Sequence, residues 1–524
     1  MNDSEKAAFA SQVPARANSG DEDPYEIEQH AVVNSLEHEP PLTNRETYGW
    51  YAYGWASEPY SAVITSVFTP IVLESLASSA GFESDLTTPC DSSKDDYKCY
   101  VKLGGSWVST ASYPLFINAI AVLIQAVVYI GVGSLADHGN FRKTLMLSFA
   151  AVGAIITMLN PAAHTPNLYW LVATFSVCAN VCYGASTVFY YAFVPTFTRV
   201  HPDVKAAHAT GDKKEILRAN EIVGNGLSSK AFAIGYAAGV LMLIIGAIIV
   251  YFMDQTTLSM QIAVCLVGVW WFAWSFVPLF FLHPRPGPPL PKGENYFLYS
   301  YKTVGRTLLR ARKLSMTFRF LIAWFFMADA VSTITSVAVI FAKTTLKAKN
   351  IQLLIAAIIV PLAALIGNLF WMFLQRKTGL MTKRMLLIIL GLFTLLPIWG
   401  LIGFGAPVGL KSIKELYGVA AVDGFLLGAF QSYCRVQYSQ LVPPGHENEF
   451  FSLYGITDKG SSWLGPLCAG AIATATGNMR YAFIFLLAIM LVPMAIVATV
   501  DVERGRRDAA AFVGIHEEPE KIEI

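Results

Sequence analysis

Polar and apolar positions divide this 524-residue chain into long apolar runs separated by short polar stretches. A helix rises about 1.5 Å per residue, so roughly 20 apolar residues are enough to cross the hydrocarbon core of a bilayer. The runs predict twelve such spans, near 48–76, 111–134, 143–163, 168–196, 229–252, 260–282, 319–342, 352–375, 384–405, 415–441, 455–475 and 480–500. The expected fold is an all-α polytopic membrane protein.

Short matches between the two halves suggest an internal repeat. Span 5 opens with Ser228-Ser229 and continues to Gly235 and Gly239; span 11 holds Ser461-Ser462, Gly465 and Gly470. Spans 4 and 10 each carry a Gly-Ala step and end in Val-Pro, and spans 1 and 7 each hold one intramembrane acid, Glu58 and Asp329. Two pseudo-symmetric six-helix bundles are therefore expected, over 48–282 and 319–500, with a substrate site between them at mid-membrane. A polar, acidic stretch over 1–47 reads as a disordered cytosolic tail, and 501–524 as a second tail.

The stretch 283–318 between the halves opens with Pro284, Pro286, Pro288, Pro289 and Pro291, which cannot continue a helix. Beyond them Phe297, Tyr301, Val304 and Leu308 share one helical face, and Lys302, Arg306, Arg310 and Lys313 the opposite one. The pattern predicts a basic amphipathic helix on the membrane surface, equally compatible with a solvated linker.

Composition agrees: 54% hydrophobic and 14% charged residues exclude an ordinary soluble domain. Lys and Arg concentrate in 199–230 and 283–319, which places those loops and both termini in the cytosol. Cys90 and Cys99 lie in the opposite, luminal loop and could pair there if it is oxidising. No cysteine pair has metal-ligand spacing, and all nine histidines lie in tails, loops or at membrane edges. No metal site, cofactor or nucleic-acid partner is expected. An intramembrane hydrolase lacks its base, and no phosphate-binding GxxxxGK[ST] loop exists to drive a pump.

The candidate chemistry sits inside the spans. A carboxylate deep in the membrane is costly, so Glu58 must face a cavity or another helix. Pro59 beside it has no N–H and deprives the Trp55 carbonyl of its helical partner. Gln431, Arg435 and Tyr438 share a face of span 10, where Arg435 could take a substrate carboxylate or simply snorkel to the interface. Asn180, Tyr183, Thr187 and Tyr190 form a stripe on span 4 that lines the same path or an interhelical seam. Asp423 is either an intramembrane acid or a cap of a late-starting helix. Asp458-Lys459, placed at the cytosolic start of span 11, forms a gate contact or an interfacial pair.

Between spans 2 and 3, GSLADHGNFRK (Gly133 to Lys143) resembles the signature loop of the major facilitator superfamily. Asp137 and Arg142 match it, while Asn140 interrupts the glycine-basic spacing and Gly139 comes one position early. Asp137 there is suited to a contact made in one conformation and released in the other. Span 1 (Thr47 to Ala77) and the block from Gly428 to Pro466 are similar to the autophagy-related protein 22 family, fungal vacuolar amino-acid effluxers of that superfamily. Glu58, Gln431, Arg435, Asp458 and Lys459 match; Ala330 after Asp329 departs from the pattern.

The resemblance implies a vacuolar-membrane transporter, with no enzymatic activity, that exports small neutral amino acids to the cytosol after autophagic protein breakdown. Alternating access would move the substrate past Glu58, Asn180, Tyr183, Asp329, Gln431 and Arg435, with Asp137, Arg142, Asp458 and Lys459 gating. Glu58 or Asp329 could carry a coupled proton; uniport is equally open. A facilitator of another small solute and a transport-dead receptor or scaffold remain the alternatives.

Overall fold

Pro59 shapes the first span. In the computed structural model, which describes residues 39–91, 99–288, 295–309, 311–348, 350–462 and 464–516, helix α1 runs Asn44–Pro59. The chain then continues as a π-helix over Tyr60–Phe68 and as α2 over Thr69–Ala80. The Trp55 carbonyl released by Pro59 accepts a bond from the Trp270 indole N–H at 3.0 Å. One proline thus ties the first span to the sixth, and Glu58 falls at the edge of the π segment, a geometry frequent at functional sites. Thr43 caps α1 by accepting the Glu46 N–H.

The loop after α2 folds into a hairpin of β1 (Tyr100–Leu103) and β2 (Ser106–Ser109). They are antiparallel, with Tyr100 opposite Ser109, and turn at Gly104-Gly105, where Gly104 has φ +60°. Cys90 and Cys99 form a disulfide, Cα–Cα 5.7 Å, that fastens this loop.

Helices α3 (Tyr113–Gly133), α4 (Phe141–Met158) and α5 (Tyr169–Arg199) follow. Short α6 (Pro202–Thr210) leads into α7 (Lys213–Phe252), and α8 (Thr257–Trp274) and α9 (Phe276–Phe281) close the first half of the chain. The linker contributes α10 (Tyr296–Leu309). The second half contains α11 (Ser315–Thr344), α12 (Asn350–Thr378), α13 (Thr382–Phe393), α14 (Leu395–Ile402) and α15 (Ile413–Ser439). It ends with α16 (Glu447–Ser461), α17 (Leu464–Thr476), α18 (Ala482–Thr499) and α19 (Val502–His516).

Ten helical segments among the described residues are long and apolar enough to cross a membrane. They coincide with the expected spans 1–9 and 12, although α7 starts well before residue 229. The expected spans near 415–441 and 455–475 are not among the ten: α15 carries buried Asp423 and Arg435, and the second of the two is split into α16 and α17. Residues 1–38, Pro289, Pro291, Arg310, residues 517–524 and the Phe297 side chain lie outside the description.

The first and last described segments lie at one end of the molecule: Leu42 N–H donates to Val200 O at 3.1 Å, and Lys213 pairs with Glu503 at 3.2 Å. We call this the terminal end, and the opposite one the hairpin end. At the hairpin end Arg480 donates to the carbonyls of Gly400, Gly409 and Leu410 at 2.9, 2.7 and 3.1 Å. At the terminal end Gly139 holds φ +50°, a left-handed conformation that glycine adopts freely. Its N–H and carbonyl pair with Pro288 O and Gly287 N at 3.1 and 2.9 Å. The early glycine of GSLADHGNFRK therefore docks the linker.

Candidate functional site: a cavity between the chain halves

A cavity of about 410 Å³ opens between the first and second halves, within the size range of small-molecule sites. Helix α1 contributes Glu58, α5 Tyr183, α15 Gln431 and Arg435, and α16 Asp458 and Lys459. Glu58 can enter because α7 presents glycine to it: a Cβ on Gly235 would lie 3.0 Å from Glu58 Cβ and Cγ.

Arg435 does not snorkel. It is 1% exposed, and its guanidinium lies 4.2 Å from the ring centroids of both Tyr191 and Phe232. Nε and Nη2 donate to Ser228 Oγ at 3.2 and 3.0 Å, while Nη1 has no partner among the described residues. A buried cation with a spare donor beside a cavity is equipped to bind an anionic oxygen. Tyr191 and Phe232 carry no distinctive sequence pattern, and Ser228 stands out only as a repeat match; their packing around Arg435 reveals them.

Asp458 and Lys459 pair at 3.1 Å, side chains 32% and 48% exposed, and both line the cavity. They were expected at the start of span 11, but α16 begins eleven residues before Asp458, at Glu447. The polar first turn, Glu447-Asn448-Glu449, concealed that start. An apolar wall completes the cavity, where Trp324 stacks on Tyr454 with centroids 4.5 Å apart and on Phe430 at 5.7 Å.

Two expected members lie elsewhere. Asn180 faces α3, where its carbonyl and Oδ1 accept from Gln125 Nε2 at 2.7 and 2.9 Å. The span-4 stripe is thus divided, with Tyr183 and Thr187 in the cavity and Asn180 in a seam. Asp329 is fully buried and its Oδ1 accepts the Gly465 N–H at 3.0 Å. Asp423 is no cap: Ser412 caps α15, and Asp423 lies eleven residues further on, buried within the helix.

Asp137 and Arg142 stand apart from the cavity, closing the terminal end. The Asp137 carboxylate accepts the N–H groups of Asn448 and Glu449 at 2.8 and 2.9 Å, and Asn448 Nδ2 at 2.8 Å. An anion at a helix N-terminus is favoured by the unpaired N–H groups there. Glu447 accepts from Arg142 and Arg199, each at 2.9 Å. Burial would raise the Glu447 carboxyl, but the two guanidiniums outweigh it and hold the group below its ordinary range. Arg199 and Glu447 were not anticipated, because each reads alone as an ordinary loop charge. Further inward, Ser229 and Ser432 hydroxyls meet at 3.0 Å and Asn225 Nδ2 donates to Thr382 Oγ1 at 2.7 Å.

Solved transporters share this fold. A bacterial homologue of the iron transporter ferroportin, in its outward-facing state, superposes with a TM-score of 0.57 at 14% identity, over 87% of this chain and 99% of that one. FucP, a major facilitator superfamily transporter in the outward conformation, gives 0.57 at 11%, over 88% and 99%. The fold is that of a major facilitator superfamily transporter. Among sequences, autophagy-related protein 22-1 of Penicillium rubens is 34% identical over 90% of this chain and 92% of that protein. Its counterpart in Emericella nidulans is 34% identical over 92% and 94%. The family described as "Vacuole effluxer Atg22 like" matches residues 42–510, and the chain belongs to it. It is accordingly a transporter of the vacuolar membrane, with a small-molecule substrate, and not an enzyme.

Proposed function

We propose that this protein exports small neutral amino acids from the vacuolar lumen to the cytosol by alternating access. In this reading α15 and the α16–α17 pair complete twelve spans, arranged as two six-helix bundles with both termini cytosolic. Arg435 carries the proposal, because its spare Nη1 at the cavity suits a carboxylate. Glu58 and Asp458 are the acids available to a substrate ammonium group, with Tyr183 and Gln431 as neutral polar neighbours.

The described conformation is loaded from the lumen in this scheme. Asp137, Arg142, Arg199 and Glu447 join the halves at the cytosolic end, and opening requires those bonds to break while new ones form at the hairpin end. Asp458 and Lys459 respond from within the cavity rather than from its rim. We assign any coupled proton to Glu58, because Asp329 is engaged in holding Gly465. The test is efflux of a labelled amino-acid panel from reconstituted vesicles, with and without a pH gradient. Neutral amino acids should move in wild-type protein and not in Arg435→Lys, which keeps the charge but loses the planar fork. Equal transport by the variant would refute the assignment of Arg435.

A further inference from the structure

The linker helix α10 has two unlike faces, and neither is the simple apolar face expected from sequence. Ser300, Thr303, Val304 and Thr307 are buried. Ser300 Oγ accepts the Leu135 N–H at 3.0 Å, and Thr307 Oγ1 donates to Glu449 Oε1 at 2.5 Å. These contacts touch both sides of the terminal closure: Leu135 is two residues from Asp137, and the Glu449 N–H is one of that carboxylate's donors. The small hydroxyl residues, polar by composition, form the docking face because they satisfy backbone and carboxylate groups there.

The other face is left uncovered. Leu298, Tyr301, Leu308 and Leu309 are 67%, 40%, 51% and 86% exposed, interleaved with exposed Lys302 and Arg306 and followed by exposed Arg312 and Lys313. No acidic residue occurs between 295 and 328. Depth identifies what covers it. Tyr301 OH donates to Val127 O at 3.0 Å, and Val127 lies eight residues before Leu135, about 12 Å further along α3 toward the membrane interior. Leu123, Ile124 and Val127 are themselves exposed, on the outer flank of a membrane-spanning helix. The exposed face of α10 therefore continues the outward-facing surface of α3, a membrane-spanning helix.

We infer that α10 is a lipid-bound clamp: acidic phospholipid headgroups engage its basic side chains while its leucines enter the same leaflet. Because the opposite face holds Leu135 and Glu449 together, binding of acidic lipid favours the closed terminal end. A leaflet lacking acidic headgroups releases the clamp.

Full-length protein in phosphatidylcholine vesicles, carrying a trace of photoreactive phosphatidylserine or photoreactive phosphatidylcholine, tests this without any transport assay. The expected result is crosslinking within 298–309 favouring phosphatidylserine by roughly tenfold at low salt. Lys302→Gln with Arg306→Gln should remove the preference, and Leu308→Ser with Leu309→Ser should lower crosslinking to both lipids. Crosslinks on Leu123 and Val127 report that each variant is folded and inserted. Equal labelling by the two lipids would overturn the acidic-headgroup claim. Absence of labelling over 298–309 while α3 is labelled would show that something other than lipid covers the face. Detergent-purified protein should also gain thermal stability with added phosphatidylserine, and the double Gln variant should not.

Discussion

Glu58 and Asp329 look like repeats of each other in sequence, and their surroundings set them apart. Both are acids in the opening span of a half, and both meet a glycine in the region of that half's next-to-last expected span. Glu58 lies against Gly235 of continuous α7 and points its chemistry into the cavity. Asp329 lies against Gly465, where α16 stops and α17 starts, and accepts the Gly465 N–H. A broken helix exposes backbone donors that must be satisfied inside a membrane. The break turns one acid into a helix-end partner and leaves its counterpart available to solute.

The largest expected difference is in transport. Glu58→Gln, which keeps size but removes the titratable charge, should abolish pH-dependent net efflux from reconstituted vesicles while substrate counterflow persists. Asp329→Asn should retain both activities and lower stability by about 1 kcal/mol, the typical worth of a helix-end carboxylate contact. A variant pair with these outcomes exchanged would invert the comparison. Unchanged efflux in well-expressed Glu58→Gln would remove Glu58 from the mechanism.

Glu58 lines the cavity and Asp329 does not, and why the sequence does not separate them is a matter of range. The spans, the cost of Glu58 and the orphaned Trp55 carbonyl all follow from local rules, and Trp270 answers the last of these. The partners of Arg435 come from α5 and α7, over 200 residues away for Phe232 and Ser228, and no spacing announces them. Likewise Glu447 meets Arg142 from 305 residues away. Asn180 was expected at the path from helical spacing and Asp329 as the intramembrane acid of span 7, while which neighbour covers each depends on packing. The α16 start was misplaced because its first turn is charged, which hydropathy reads as loop.

The glycines sharpen the contrast at intermediate size. Gly465→Ala places a methyl group against Thr333 Oγ1 and 3.0 Å from Asp329 Oδ2. It should cost about 2 kcal/mol by overpacking, seen as a lower unfolding temperature that Thr333→Ala partly restores. Gly235→Ala meets Glu58 Cβ and Cγ at 3.0 Å and the Gly54 carbonyl at an ordinary 3.5 Å, so a shift of Glu58 by a few tenths of an ångström accommodates it, and it should alter counterflow affinity with little effect on unfolding. Equal stability losses would mean that Glu58 is as tightly packed as Asp329.

A smaller effect is expected where the first span is tied to the sixth. Trp270→Phe removes the donor to the Trp55 carbonyl at 3.0 Å and keeps the aromatic contact with Trp55, whose ring centroid lies 5.4 Å away. The loss should be about 1–2 kcal/mol, with faster hydrogen exchange localised to the π segment after Pro59. Exchange unchanged there would show that another group already satisfies the carbonyl.

The smallest effect is a pH response of the terminal closure, which must be separated from any response of Glu58. His446 Nδ1 lies 3.0 Å from Glu449 Oε2, outside the apolar spans, with its ring 5.6 Å from that of Phe512. Burial opposes the charged imidazole, but the bond to Glu449 and the nearby Asp137 and Glu447 carboxylates prevail, so its pKa is raised above 6.5. A raised histidine contributes stability below its unfolded value and loses it as pH climbs through the folded one. Glu447, held low by Arg142 and Arg199, keeps its contribution above 4.5 and loses it only in strong acid. Between these limits the closure should therefore weaken on the alkaline side alone, by about 1 kcal/mol. Hydrogen exchange at Asn448 and Glu449, corrected for intrinsic rates, should lose protection as pH rises through the raised His446 value. In His446→Gln that protection should be lower and independent of pH. If the alkaline loss survives in His446→Gln, the response belongs to another group, and Glu58 is the next to test by the same measurement in Glu58→Gln.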